Sequence, residues 1–508
     1  MLFNSYEFLF IFLPATLVGF FALSGLRRFG LAAGWLALAS IWFYGYWNPR
    51  YVLLLGTSIV LNFFAGQAIL RYRSTGALGL AQQVLILALI GNLATLGYFK
   101  YANFFVDALD AAAGTGFHLG HIVLPLGISF FTFTQIAFLV DAFQGKVPAC
   151  RFGSYTLFVT FYPHLIAGPV LHHAEMMPQF ERAETYRFRL DNFLIGATFL
   201  SIGLFKKVVL ADGIQPFVGP VFEADPAYPL TALEAWGGVL AYTLQLYFDF
   251  SGYSDMAIGL AKMTNIDLPL NFNSPYKAIN IAEFWRRWHM TLSRFLRDYL
   301  YIPLGGNRKG PLRRYLNLLI TMLLGGLWHG AGWTFVIWGA LHGVFLMVHQ
   351  VWNAVFVRKG RSPSLVGRAV STAFTFLCVV AAWVFFRATS IEAAFFVCKG
   401  MLGMNGVLWP DQWQGAAGTL GARDPELRWA RLEAFGGWRQ WAWIVVLLAI
   451  AWAAPNSQTL VARLKTRAAM LRHERWAWMA LGGLAVCVFL LAAINASRGS
   501  SEFIYFNF

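Results

Sequence analysis

Long apolar runs separated by short polar segments are the dominant pattern along the chain. An apolar run of about 20 residues is long enough to cross the hydrocarbon core of a bilayer as a helix. A further apolar stretch, 152–170, is interrupted by Pro163, Gly168 and Pro169 and is predicted to be re-entrant. Spans are predicted near residues 8–26, 31–47, 51–70, 80–99, 122–142, 190–209, 232–255, 314–330, 333–352, 367–387, 440–455 and 477–494. The pattern therefore predicts an all-α, polytopic integral membrane protein with about 11–13 transmembrane helices.

Composition and charge agree with lipid as the main surroundings. Of the 508 residues, 58% are hydrophobic and 12% are charged, whereas soluble domains average about 25% charged residues. The basic residues that give a net charge of +15 lie in short loops between predicted spans, at 27–28, 71–73, 146–151, 286–314, 358–368 and 463–475. The positive-inside rule places these loops in the cytoplasm and both termini outside. Nucleic acid is therefore not an expected partner.

The organisation of the chain is predicted to be simple. No internal repeat or low-complexity tract is present, so one membrane domain over 1–508 is expected. Residues 271–313 are expected to form a cytoplasmic-side amphipathic or re-entrant region, 388–439 an extracytoplasmic insert, and 495–508 an extracytoplasmic tail. The N-terminus lacks the basic region and the cleavage site of a removable signal peptide, so the first span is expected to stay as an anchor. The four cysteines indicate no disulfide framework, and no metal site is expected.

The most informative segment, 271–310, has an amphipathic pattern. At 100° per residue one arc is apolar apart from His289 and comprises Trp285, Trp288, His289, Leu292, Phe295, Leu296 and Tyr299. The opposite arc comprises Arg286, Arg287, Arg294 and Arg297. Such a helix is either interfacial, with its arginines on lipid phosphates, or it binds an anionic cytosolic cosubstrate such as coenzyme A through the arginines and Lys309. His289 is a functional candidate because an ionisable group on an apolar face needs a partner.

A second informative segment, Leu-Leu-Gly-Gly-Leu-Trp-His-Gly-Ala-Gly-Trp-Thr at 323–334, surrounds His329 with glycines. About 22 Å of helix separates Arg314 from His329, which places the histidine well across the bilayer from the basic loop. The glycines allow another backbone or a substrate to approach closely. Burial disfavours imidazolium, so His329 is expected to be neutral and able to accept a proton. From chemistry alone, a hydrogen-bonded helix contact is as good an interpretation as catalysis.

Several motifs spread from end to end of the chain indicate a family. They are Met-Leu-Phe-Asn-Ser at 1–5, Leu-Pro-Leu-Gly-Ile-Ser-Phe-Phe-Thr-Phe at 124–133, Tyr-Phe-Asp-Phe-Ser-Gly-Tyr-Ser-Asp at 247–255, the 271–310 segment, Trp-His-Gly-Ala-Gly-Trp at 328–333 and Glu-Phe-Ile-Tyr-Phe-Asn-Phe at 502–508. In this order they resemble the membrane-bound O-acyltransferase (MBOAT) family. Within it they resemble the bacterial alginate O-acetylases, with the teichoic-acid D-alanyl transferases as more distant relatives.

The resemblance implies an enzyme of the bacterial inner membrane with a helical MBOAT fold around a central tunnel. It implies that acetyl-CoA is a cytosolic donor substrate, that no cofactor is permanently bound, and that the acceptor is an extracytoplasmic polysaccharide such as alginate. By the same resemblance His329 is catalytic and His289 is the second signature histidine. General-base chemistry then gives His329 the proton of the incoming hydroxyl, and His289 is expected to orient the donor or to stabilise the leaving thiolate. A periplasmic SGNH-type acetyltransferase is an expected partner.

Alternatives remain open at this point. Tyr505, placed after the last span, belongs either to an interfacial aromatic belt or to a relay in which it accepts the acyl group first. Structural roles are favoured for Asp249, Asp255, His164 and His342. The rival functions are transfer of D-alanine or another acyl group to a cell-wall polymer, and a non-catalytic transporter or scaffold of a polysaccharide export complex.

Overall fold

Helices make up nearly all of the regular structure in the computed structural model. It describes residues 1–227, 229–356, 364–410, 428–430, 437–470, 474–498 and 501–507. The α-helices are Leu13–Gly25, Phe29–Gly45, Arg50–Ser74, Leu78–Leu96, Ala102–Ala113, Ile128–Gln144, Phe152–Thr160, Tyr162–Leu165, His173–Glu181, Leu190–Leu204, Asp212–Ile214, Gly219–Phe222, Ala232–Met263, Ile281–Trp285, Met290–Leu296, Gly310–His329, Trp333–Val355, Leu365–Arg387, Ile391–Met401, Gly437–Ala453, Ser457–Met470 and Glu474–Arg498. The all-α prediction is confirmed.

Short elements of other types interrupt or extend these helices. The π-helical segments are Glu7–Phe12, Gly97–Tyr101, Phe205–Ala211 and Arg297–Tyr301. The 3₁₀ turns are Ala183–Tyr186, Gln215–Phe217, Pro275–Lys277 and Ile504–Asn507. Among the described residues there is also one pair of three-residue parallel strands, Leu408–Pro410 and Arg428–Ala430. This pair is too small to change the fold class.

The multi-pass membrane architecture is also confirmed. Within the described ranges, six helical segments are long and apolar enough to cross a membrane, namely Glu7–Gly25, Arg50–Ser74, Leu78–Ala113, Leu190–Phe222, Trp333–Val355 and Leu365–Arg387. Three shorter apolar helices, Phe29–Gly45, Ile128–Gln144 and Gly482–Ser497, coincide with further predicted spans. Other predicted spans lie on helices such as Ala232–Met263, in which polar side chains interrupt the apolar ones. The total of 11–13 spans therefore stays a prediction.

The chain divides into two compact units whose segments alternate along the sequence. The first unit comprises Met1–Phe205, Gly252–Asn271 and Ser457–Phe508, and the second comprises Lys206–Ser251 and Phe272–Asn456. The predictions of one domain over the whole chain and of a central tunnel stay predictions.

In the first unit, three of the sequence motifs meet. Phe3 stacks on Tyr253 with ring centroids 4.8 Å apart, and Tyr253 stacks on Phe503 at 4.3 Å. The side-chain amide of Asn4 donates to Oδ1 of Asn495 at 3.2 Å, and the amide of Asn495 donates to the Asn4 carbonyl at 2.9 Å. Polar pairs buried among apolar helices favour one arrangement over others. These contacts therefore hold the N-terminal motif and the tail together.

In the second unit, the Gly310–His329 and Trp333–Val355 helices are joined by a short turn and pack closely. A Cβ atom added at Gly326 would lie 2.3 Å from the carbonyl oxygen of Phe335. Backbones can approach this closely only where a residue has no side chain. The contact lies one turn before His329, so the close packing of these helices sets the position of that histidine.

The helix predicted around His289 is wrong as a single element. One helix ends at Trp285 and the next begins at Met290. His289 lies between them with φ 42° and ψ 54°, a left-handed conformation that a continuous right-handed helix does not contain. The N–H of Asn273 donates to the Arg287 carbonyl at 2.9 Å, and the Arg287 guanidinium donates to the Asn273 carbonyl at 3.1 Å. The backbone and the side chain of Arg287 are thus both bonded to Asn273, outside the two helices.

The predicted separation of apolar and basic side chains in this segment is confirmed even though the helix is broken. The buried residues are Trp285, Trp288, His289, Leu292, Phe295 and Leu296. Arg286 and Arg297 are exposed, and Arg287, Arg294 and Tyr299 are half-buried. Burial therefore follows the chemistry of the side chains and does not require a regular helix.

The other predicted segments have mixed outcomes. The apolar stretch 152–170 is broken as predicted, into the helices Phe152–Thr160 and Tyr162–Leu165. Of the predicted insert 388–439, residues 411–427 and 431–436 lie outside the described residues, as do 499–500 and 508 of the tail. Residues 357–363 and 471–473 of two basic loops also lie outside them. The assignment of segments to the two sides of the membrane stays a prediction.

Candidate active site

Two buried histidines from separate motifs lie next to each other in the second unit. His289 is fully buried and His329 is 3% exposed. Their ring centroids are 6.5 Å apart, although 40 positions separate the two residues in the sequence. His329 is the last residue of its helix, and His289 immediately precedes the Met290–Leu296 helix. The fold thus brings together the two histidines that the motifs indicated as catalytic.

Aromatic rings surround this histidine pair. The ring centroid of Phe250 lies 4.9 Å from that of His289, and the ring centroid of Trp328 lies 4.9 Å from that of His329. Trp338 and Phe386 contact His329 edge-on, at 5.0 and 5.2 Å. Rings packed in this way keep water out and lower the local dielectric constant, which strengthens any hydrogen bond or charge interaction made there.

A third buried histidine, His342, extends the cluster. The Trp338 ring contacts both histidines, with its centroid 4.8 Å from that of His342 and 5.0 Å from that of His329. The indole N–H of Trp285 donates to Nδ1 of His342 at 3.3 Å. Since Nδ1 accepts this hydrogen bond, a neutral His342 carries its proton on Nε2. His342 therefore has a defined tautomer next to the pair.

The basic residues predicted to bind a donor do not form one surface of free cations. Arg287 makes two hydrogen bonds to Oε1 of Glu283, at 2.7 and 3.0 Å. Arg297 pairs with both carboxylate oxygens of Asp298, at 2.7 and 3.1 Å.

The other three predicted donor-binding residues differ in exposure. Arg286 and Lys309 are exposed, whereas Arg294 is half-buried. Arg286 and Lys309 are therefore, with the carboxylate-paired Arg297, the exposed members of the predicted set.

The Glu283 carboxylate is held in its charged form. Burial raises the pKa of Glu283, but the hydrogen bond from the Ile279 N–H and the ion pair with Arg287 outweigh burial and lower the pKa below its ordinary value. Asn280 caps the short helix that carries Glu283 by accepting from the Glu283 N–H at 2.8 Å. Arg287 is thus held in place next to His289, where the helix is interrupted.

Tyr505 lies in the first unit and is 7% exposed. Its ring stacks on Phe503 with centroids 5.8 Å apart, and Phe503 in turn stacks on Tyr253. The ring is therefore packed against the protein and does not project from the tail.

The polar residues assigned structural roles make local contacts. Asp249 lies 2.8 Å from Nζ of Lys207, which also contacts Asp212 at 2.9 Å. Asp255 accepts a hydrogen bond from Ser457 at 2.5 Å.

His164, which was also assigned a structural role, is buried. Its Nε2 lies 2.9 Å from the Phe158 carbonyl oxygen. A buried ring that contacts a backbone carbonyl fits the structural interpretation.

Sequence reasoning did not single out the aromatic residues of the site. Phe250 belongs to the 247–255 motif, and Trp338 lies four positions before His342, so both occur beside features that the sequence did highlight. The i, i+4 spacing places Trp338 and His342 on the same helix face. Phe386 carries no such signal, because only tertiary packing brings it to His329.

These features define a polytopic helical membrane protein with a buried histidine pair in the second unit. Comparison with known proteins identifies the family. Residues 147–359 match the family model described as MBOAT, membrane-bound O-acyltransferase family. This region contains both His289 and His329.

Curated relatives extend the similarity over most of the chain. The chain is 46% identical over 433 residues to a peptidoglycan O-acetyltransferase of Helicobacter pylori, covering 80% of this chain and 81% of that protein. It is 45% identical over 405 residues to a probable alginate O-acetylase of Azotobacter vinelandii, covering 78% and 76%. A teichoic acid D-alanyltransferase of Bacillus subtilis is 27% identical over 275 residues, covering 51% and 68%.

The chain therefore belongs to the membrane-bound O-acyltransferase family. It is an O-acyltransferase and a multi-pass protein of a bacterial membrane.

Proposed function

We propose that this O-acyltransferase moves an acetyl group from cytosolic acetyl-CoA to a hydroxyl group of a polysaccharide on the outer side of the membrane. Relatives named for O-acetylation of peptidoglycan or alginate are 42–46% identical, whereas the D-alanyltransferase of Bacillus subtilis is 27% identical. This difference favours acetyl over D-alanyl transfer. The observation that carries the proposal is the buried His289–His329 pair with its aromatic surround.

His329 is the general base in this proposal. As the acceptor oxygen bonds to the acetyl carbonyl carbon, its proton passes to the His329 ring. The carbon–sulfur bond then breaks, and the coenzyme A thiolate leaves and takes up a proton from the resulting imidazolium. The aromatic contacts at 4.9–5.2 Å hold the ring in place and keep water away from the thioester.

His289 stabilises the reacting group. The His289 ring lies beside the His329 ring, with centroids 6.5 Å apart, so both imidazoles border the space that the reacting group would occupy. The left-handed backbone at His289 costs roughly 1–3 kcal/mol, and such strain persists only where the surrounding structure holds it. That observation favours a role in positioning over ordinary packing.

The phosphates of the donor contact the exposed cations Arg286 and Lys309. Arg287 and Arg297 serve mainly to order the segment, because each is already paired with a carboxylate. Arg294 completes the basic segment. In the D-alanyl alternative this surface contacts a carrier protein instead.

Tyr505 is the candidate for a relay to a periplasmic SGNH-type acetyltransferase. In that sequence of steps its phenolic oxygen accepts the acetyl group and the partner removes it. The packed position of the ring against Phe503 also fits the alternative, in which Tyr505 only anchors the tail.

The test is transfer of label from radiolabelled acetyl-CoA to glycan in membranes that contain equal amounts of wild-type protein, His329→Ala, His289→Ala or the control His121→Ala, which removes an exposed histidine. Loss of a general base costs about 10²–10⁴-fold in rate. We expect losses in this range for His329→Ala, a smaller loss for His289→Ala, and none for His121→Ala. Full activity of His329→Ala would refute the proposed base.

Two further experiments test the role of Tyr505 and the identity of the acyl donor. Tyr505→Phe is expected to stop transfer to glycan if the tyrosine is a relay and to leave it unchanged if the tyrosine is an anchor. Labelled D-alanine supplied on a carrier protein tests the donor, and transfer from it in place of acetyl-CoA would overturn the assignment of the acyl group.

A further inference from the structure

A second cluster of ionisable side chains lies in the first unit, and no step of the proposed transfer uses it. Asp141 lies near the end of the Ile128–Gln144 helix, and His172 and His173 lie at the start of the His173–Glu181 helix. One donor atom from each residue lies within 4.8 Å of the donor atoms of the other two. Two imidazoles and one carboxylate at this spacing have the ligand types and the distances of a metal site.

The environment of His173 indicates that a cation belongs in this cluster. The ring is 3% exposed, and its Nε2 lies 3.4 Å from the Lys146 carbonyl oxygen, which can only accept a hydrogen bond. Nε2 therefore carries a proton, and a neutral ring has its lone pair on Nδ1. This Nδ1 makes no hydrogen bond to a described residue and lies 3.3 Å from Oδ2 of Asp141. A lone pair and a carboxylate oxygen that face each other in a buried site are stabilised by a cation placed between them.

His172 supplies the third donor and the route of access. Its Nε2 lies 2.7 Å from Oδ2 of Asp141, and its ring is 29% exposed whereas the Asp141 side chain is 1% exposed. Nδ1 of His172 accepts a hydrogen bond of 3.3 Å from the Ala174 N–H and so caps the following helix. When Nε2 binds a metal, the ring proton moves to Nδ1. Nδ1 can then no longer accept from the Ala174 N–H, so metal binding breaks this capping hydrogen bond.

We infer that Asp141, His172 and His173 bind one zinc ion, with a water molecule in the fourth position. Zinc bonds of about 2.0–2.1 Å in a tetrahedron place neighbouring donors about 3.3 Å apart, and Asp141 Oδ2 and His173 Nδ1 already have this separation. The His172 ring has only to move about 0.6 Å away from Oδ2 of Asp141, and its partial exposure leaves room for this movement. Imidazole donors favour zinc over magnesium or calcium, which prefer oxygen ligands.

The ion links two parts of the chain that are 31 positions apart, from Asp141 to His172. The carbonyl of Lys146 orients His173 from outside the metal, an arrangement common around zinc-bound histidines. Nζ of Lys146 lies 3.8 Å from Oδ1 of Asp141 and its side chain is 61% exposed, so it can turn to solvent when the metal brings additional positive charge. The site therefore stabilises the junction between the two helices.

The test uses full-length protein in detergent without a histidine tag, loaded with zinc alone and desalted. We expect about one zinc per chain by elemental analysis for wild type and for the control His121→Gln, which changes an exposed histidine. His172→Gln and His173→Gln are each expected to weaken zinc binding more than about 100-fold, since loss of even an outer-shell partner costs about 10- to 100-fold. His172→Gln is the more informative variant because the ring is half-exposed and its loss leaves the core intact.

Thermal unfolding supplies a readout that does not depend on acyl transfer. Zinc is expected to raise the unfolding temperature of wild type and of His121→Gln, whereas magnesium is not, and neither metal is expected to raise that of His172→Gln. Absence of bound zinc in well-folded wild type would overturn the inference. Equal zinc content in wild type and His172→Gln would also overturn it, because the metal would then be bound elsewhere.

Discussion

The neighbouring glycines Gly325 and Gly326 are expected to respond in opposite ways to substitution by alanine. At Gly326 an added Cβ would lie 2.3 Å from the carbonyl oxygen of Phe335, whereas at Gly325 it would lie 3.2 Å from a methyl group of Leu296. A Cβ needs at least 3.0 Å, so Gly326→Ala requires the two backbones to separate by at least 0.7 Å. The Leu296 methyl group can move by a few tenths of an ångström.

The magnitudes follow from these distances. Alanine favours a helix over glycine by about 1 kcal/mol, so Gly325→Ala should be neutral or slightly stabilising. Gly326→Ala has the same gain but adds overpacking of about 1–3 kcal/mol and displaces His329, one turn away. A displacement of about 1 Å at a reacting group lowers rates by roughly 10²-fold, so activity should fall more than stability.

The assay compares thermal unfolding in detergent and acetyl transfer in membranes for the two variants at matched protein levels. We expect Gly325→Ala to behave as wild type and Gly326→Ala to unfold earlier and to lose most of its activity. If Gly326→Ala is as stable and as active as Gly325→Ala, the close contact between the two helices does not set the position of His329.

Two further outcomes are expected. Lys207→Met leaves the buried Asp249 and the half-buried Asp212 without their shared cation and should lower the free energy of unfolding by about 3–5 kcal/mol. Lys262→Met, which breaks an exposed pair, should cost less than about 1 kcal/mol, and equal losses in a chemical unfolding titration would contradict this reasoning. Trp285→Phe removes the hydrogen bond to Nδ1 of His342 and should cost about 1 kcal/mol while lowering the acetyl-transfer rate; an unchanged rate would show that the tautomer of His342 is irrelevant to transfer.

The segment around His289 shows which structural features a local sequence pattern can predict and which it cannot. The periodicity around His289 identified which side chains are buried, because burial follows the polarity of each side chain. It also predicted one continuous helix, and that was wrong. Beside the break, Asn273 and Arg287 exchange hydrogen bonds across 14 positions of sequence, a contact that no helical periodicity contains.

The proposed zinc site is even harder to predict from sequence patterns. His172 and His173 are adjacent in the chain and resemble no metal-binding motif, and Asp141 lies on a different helix. Only the folding of the intervening segment brings the carboxylate to the two rings.

The amino-acid sequence was enough to assign the class of the protein, because hydrophobic length and charge placement respond directly to the bilayer and the motifs identify the family. It also indicated His289 and His329 separately, each from its own motif. Tertiary structure alone decided that their rings lie 6.5 Å apart, that Phe250 and Phe386 contact them, and that two of the basic residues are paired with carboxylates. The physical reason is that these contacts join residues distant in sequence, whose proximity depends on how whole helices pack and not on any local preference.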